Sequence, residues 1–112
     1  MRTTEKRIKS GDLSSNMFSA PIEVYYSTGF FISLYWQGDP VGYFCIQATS
    51  SDFKNIENAV WQEIPDSRIN VKGSGGKFGL NVSYVQYRFI RLVYVRASGS
   101  GNVDAEFIGK GV

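Results

Sequence analysis

From residue 30 onward the chain alternates apolar and polar side chains with a period of two, the signature of strands that bury one face. In "FFISLYW" (30–36), Phe30, Ile32, Leu34 and Trp36 share one face, and Phe31, Ser33 and Tyr35 share the other. "VGYFCIQA" (41–48) sets Phe44, Ile46 and Ala48 against Tyr43, Cys45 and Gln47. "YRFIRLVYVRA" (87–97) is the longest run, with Tyr87, Phe89, Arg91, Val93 and Val95 opposite Arg88, Ile90, Leu92, Tyr94 and Arg96. "NVDAEFIG" (102–109) turns Val103, Ala105 and Phe107 inward and Asn102, Asp104 and Glu106 outward. Shorter runs at 22–26, 60–64, 69–71 and 78–82 bring the number of strands to about eight.

The segments between these runs read as connections. "QGDPVG" (37–42) is a turn set by Asp39-Pro40. "KGSGGK" (72–77) reads as a hairpin connection, and "SGSG" (98–101) as a hairpin turn in which glycine supplies positive φ. The polar stretch 49–59 is a loop or a short helical turn. So many half-buried strands need two packed sheets to hide their apolar faces, so the expected fold is an antiparallel β-sandwich. Residues 1–16 are polar and lack periodicity. They are expected to form an extended N-terminal arm, held by a neighbouring subunit or a larger assembly, with docking on its own body as the alternative, ahead of a sandwich domain at 17–112.

Composition narrows the chemistry. At 112 residues the chain fits one domain with a real core, and its 15% aromatic content suits short strands. It contains no histidine, which removes the commonest general base and most zinc sites. The lone Cys45 permits no internal disulfide and reads as a small buried hydrophobe. The net charge of +2 is concentrated at the start, where residues 1–12 carry four basic and two acidic groups. The remaining body is neutral, which argues against a nucleic-acid-binding face. No run is long enough for a transmembrane helix and no signal-peptide pattern is present, so direct membrane insertion is not expected.

No set of residues supplies base, nucleophile and oxyanion stabiliser together, so an enzyme is not expected. Carboxylates at Asp39, Asp52, Glu57, Glu63, Asp66, Asp104 and Glu106 are scattered and read as solvated charge, with no metal or cofactor implied. "GSGGKF" lacks the spacing of a phosphate loop, and "NVS" (81–83) falls at a strand. Tyr35 and Tyr84 are the best exposed candidates for stacking on sugar rings. Arg88, Arg91 and Arg96 in the long strand need water or a carboxylate, because a buried unpaired guanidinium is costly. Asp104 and Glu106 on the following strand are the expected cross-strand partners, which makes the arginines sheet-pairing or interface anchors.

A resemblance runs through residues 30–111. It is carried by Trp36, Gly38, Gly42, Gln47, Asp52, Trp61, Ile64, Arg88, Arg91, Tyr94, Gly99, Gly101, Lys110 and Gly111, in the order found in a group of small phage-encoded proteins. Thr49 stands where that pattern has serine. The succession of a body strand, "VWQEI" and "RFIRL" is also similar to the discoidin or galactose-binding-like jelly roll. The resemblance implies a jelly-roll-like sandwich and a non-enzymatic virion structural component: a capsid decoration, spike, adaptor or tail-associated protein. Its partners would be other virion proteins and copies of itself, and its place the virion. Arg2, Lys6, Arg7 and Lys9 of the arm would then meet an acidic partner surface. The alternative is a carbohydrate-binding module that holds a host-surface glycan.

Overall fold

The computed structural model describes residues 3–24, 27–50, 59–83 and 87–111. Expectations for Arg2, Asp52, Tyr84 and the 51–58 segment fall outside them. The described residues form ten strands and no helix, arranged as two antiparallel sheets. One sheet has four strands in the order β1 (Thr3–Asp12), β10 (Gly101–Gly111), β4 (Ser27–Gly38) and β8 (Gly76–Ser83). The other is built on β9 (Phe89–Ser98) paired with β5 (Val41–Thr49). Two short strands, β2 (Met17–Phe18) and β3 (Ile22–Glu23), line the free edge of β9. Another two, β6 (Gln62–Glu63) and β7 (Ile69–Lys72), line that of β5.

The expected β-sandwich is therefore present, and the predicted alternation sorts its faces. Phe30, Ile32, Leu34 and Trp36 of β4 meet Val103, Ala105 and Phe107 of β10 on the inner side of the four-stranded sheet. Phe44, Ile46 and Ala48 of β5 and Ile90, Leu92 and Tyr94 of β9 face them from the second sheet. Aromatic rings link the layers: Trp36 lies 5.4 Å from Phe44, which lies 4.8 Å from Tyr94, in tilted geometry. Each such side chain contributes about 1.5–3 kcal/mol by leaving water. Tyr94 carries one polar atom into this core, and its hydroxyl has no hydrogen-bond partner among the described residues. Tyr94→Phe should therefore keep or gain stability, by up to about 1 kcal/mol in the unfolding free energy from urea titration. A loss larger than that would mean the hydroxyl is satisfied.

Two connections expected as hairpins, 72–77 and 98–101, are not hairpins, and the turn at 37–42 behaves as they do. The turns at 37–42, 72–77 and 98–101 do not close hairpins within one sheet: each carries the chain from one sheet to the other. Strands adjacent in sequence thus pack face to face across the core, in the manner of a jelly roll. This also corrects the expected arginine pairing. Asp104 and Glu106 lie in the sheet opposite to β9 and cannot pair with its arginines.

The extended arm is also corrected. Residues 3–12 form β1, which pairs antiparallel with β10 from Thr3 opposite Lys110 to Asp12 opposite Asn102, with a bulge between Ile8 and Gly11. Leu13 follows it into the core, fully buried, and donates its amide to Gly101 O at 2.9 Å. Without β1, β10 would present a row of unpaired backbone groups. Lysine and arginine are common on such edge strands because they discourage pairing with a further chain. The polar composition that suggested a loose leader is that of an edge strand. Lys6, Arg7 and Lys9 therefore belong to the body of the domain.

Candidate functional site

The two outer faces of the sandwich differ. On the β5–β9 sheet the outer face is covered. The Arg91 guanidinium lies between the rings of Phe18 and Trp61, at 4.7 and 4.3 Å from their centres, and its Nε donates to Gln47 Oε1 at 2.9 Å. Beside it Arg68 donates to Glu63 Oε1 at 2.9 Å and stacks over Tyr43 at 4.0 Å. Cys45 and Val93, opposite each other in register on this face, are only 2% and 1% exposed.

The electrostatics follow from this cover. Burial, with the neighbouring Glu63 carboxylate adding to it, pushes the Cys45 thiol up to about 11. It stays protonated and unreactive near neutral pH. Burial also lowers the affinity of Arg91 for its proton from the usual arginine value. The hydrogen bond from Arg68 holds the Glu63 carboxyl below its ordinary value. Because both partners are largely in solvent, the pair adds little stability. This face is a small second packing layer closed by cation–π contacts.

The outer face of the four-stranded sheet is open, and the register assembles a groove of about 650 Å³ across it. Tyr35 of β4 stands opposite Lys77 of β8 on one side and Asp104 of β10 on the other. Two residues along, Ser33 lies opposite Gly79 and Glu106, and Glu106 lies opposite Arg7 of β1. Two further along stands Phe31. The floor is low at its centre at Ser33 and aromatic on either side, where Tyr35 is 51% and Phe31 42% exposed. Phe31 rests directly on the β8 backbone: a Cβ at Gly79 would come within 2.8 Å of its ring. Glycine at 79 is what lets the ring lean over β8 toward the Ser33 row.

The structure thus brings the candidate stacking residue Tyr35 and the arm residue Arg7 into one groove, together with Asp104 and Glu106, which were expected beside the arginines. It separates Arg88, Arg91 and Arg96 from one another. Arg91 is held in the covered face, and Arg96 donates from Nε to its own turn at Gly99 O, 2.9 Å away. Arg88 sits exposed at the strand's start, its amide donating to Thr49 O at 3.0 Å. Phe31, Ser33, Lys77, Gly79, Asp104 and Glu106 were not singled out as one site. The outward positions of Phe31, Ser33, Asp104 and Glu106 on β4 and β10 were readable from the alternation, but the adjacency of β1, β10, β4 and β8 was not.

No protein-family model matches the chain, and no curated protein matches it in sequence. Solved structures match its fold. The PBSX exported protein XepA superposes with a TM-score of 0.66 at 13% identity, over 97% of this chain and 37% of XepA. The SPBc2 prophage-derived protein YomS gives 0.54 at 10% identity, over 96% of both chains. The CBM22-1-GH10 modules of Clostridium thermocellum endo-1,4-β-D-xylanase 10B, complexed with xylohexaose, give 0.51 at 9% identity, over 82% of this chain and 19% of the enzyme. The chain therefore spans little more than a third of XepA but nearly all of YomS. The phage connection expected from the sequence appears as a shared fold with phage-derived proteins.

Proposed function

We propose that the chain is a non-catalytic structural component of a phage-derived particle or exported assembly, acting through contacts with other proteins of that assembly and with copies of itself. The observation that supports it best is the end-to-end overlap with prophage-derived YomS, in which one sandwich of this size accounts for nearly the whole of both chains. The proposal no longer depends on an arm reaching to a neighbour, because β1 is part of the domain's own sheet. Contacts would come from the domain surfaces. Particles purified from the encoding phage or prophage should contain the chain at a fixed ratio to their major protein, read by quantitative mass spectrometry. Its absence from them, with the chain abundant in the remaining lysate, would overturn the proposal.

A second reading, attachment to a host-surface glycan, is favoured by one observation: the exposed aromatics Tyr35 and Phe31 at the two ends of an open groove. The two readings are compatible in one protein, since the groove occupies one outer face and leaves the other face and the sheet edges for assembly.

A further inference from the structure

We infer that the groove on the four-stranded sheet binds a neutral polysaccharide, laid along β4 with sugar rings on Tyr35 and Phe31. This assignment rests on the glycan-attachment reading and names its ligand class. The first support is apolar. Two large rings on an outer strand face gain nothing by standing in water, and on the other sheet the equivalent aromatics Phe18 and Trp61 are spent on covering Arg91. Tyr35 and Phe31 are four residues apart on one strand, about 13 Å between Cα positions, and the Phe31 ring leans over Gly79 toward Tyr35.

The second support is shape. With the Phe31 ring lying over Gly79, the floor between the aromatics is lowest at Ser33, where a chain can bring its hydroxyls to the Ser33 hydroxyl and the Glu106 carboxylate. The third is charge, which decides the ligand class. The Tyr35 row carries Lys77 and Asp104, and the Ser33 row carries Glu106 and Arg7, one cation and one anion in each. The groove has hydrogen-bonding groups of both kinds on its walls and no net charge. It offers donors and acceptors to sugar hydroxyls but no field to gather a phosphate- or uronate-bearing polymer.

The experiment is glycan-array binding by the full chain, followed by calorimetry with the best soluble neutral polysaccharide. Tyr35→Ala and Phe18→Ala serve as the variants. Both positions are exposed, so both variants should fold. The expected result is binding to neutral chains that varies less than twofold between low and high salt. Tyr35→Ala should weaken it about fivefold to tenfold, and Phe18→Ala on the opposite face should leave it unchanged. Binding confined to anionic glycans, or binding that Tyr35→Ala does not alter, would overturn the assignment while leaving glycan attachment standing. A blank array with a folded protein would overturn both.

Discussion

Gly99→Ala is expected to cost at least about 3 kcal/mol, enough to unfold much of a marginal domain at 37 °C. The position is strained twice. Its φ of +73° is left-handed, where a Cβ costs about 1–2 kcal/mol. That Cβ would also sit 2.1 Å from the carbonyl oxygen of Asp39 and 3.3 Å from Pro40 Cα, backbone that has nowhere to go. The crowding comes from topology. The β4–β5 and β9–β10 connections both cross between sheets at this end of the sandwich and stack on one another. Asp39 donates its amide to Ser100 O at 2.9 Å, and Ser100 donates its own to Asp39 Oδ1 at 3.3 Å. Opening one crossing to admit a methyl group therefore displaces the other, and with it the register of four strands. Gly73→Ala is the comparison: its φ is also left-handed, at +86°, but the added Cβ meets only Val41 Cγ2 at 3.6 Å. It should cost about 1–2 kcal/mol. Urea midpoints that place the two variants together would mean that the crossings are not stacked.

The same stacking explains what the sequence could not reveal. Period-two alternation assigned the inward faces of β4, β5 and β10 residue by residue, because a strand with one buried face has only two sides to choose between. It also marked Tyr35 as outward-facing. What alternation does not carry is which strand lies beside which. A short glycine-rich turn closes a hairpin in most small sheets, but at 37–42, 72–77 and 98–101 it forms an arch between sheets instead. Once the arches are known, Asp104 and Glu106 move away from Arg91 and join Tyr35, Ser33, Lys77 and Arg7, and a groove appears where no motif announced one. The cover of the β5–β9 sheet was hidden for a related reason. Phe18, Trp61 and Arg91 come from three distant segments, and nothing local says that the arginine is satisfied by rings and Gln47 in place of a carboxylate. Arg7, singled out as part of an arm, lies on β1 and lines the groove.

Removing residues 1–16 is the other change expected to have a large effect, and it separates an edge strand from an arm. An arm that serves only a neighbour can be cut without harm to its own domain. An edge strand cannot, because its loss uncovers the backbone of β10 along its length and removes Leu13, a side chain fully buried in the core. Losing a buried leucine side chain alone costs about 2–5 kcal/mol. Val103 becomes more exposed as well, since β1 packs on it closely enough that a Cβ at Gly11 would approach its Cγ1 to 3.1 Å. The truncated chain should therefore lose at least about 4 kcal/mol, or fail to fold, in chemical denaturation. Should it prove insoluble, native-state hydrogen exchange on the full chain answers the same question: the β1 amides bonded to β10 should be protected well beyond those of a free peptide. Neutralising the basic groups supplies the complementary arm of the test. Lys6→Gln, Arg7→Gln and Lys9→Gln together should leave the unfolding free energy within about 0.5 kcal/mol, since charged side chains on an edge strand contribute little to its pairing. A truncated chain with an unchanged midpoint, joined to a triple variant that no longer enters particles, would restore the arm and detach β1 from the sheet.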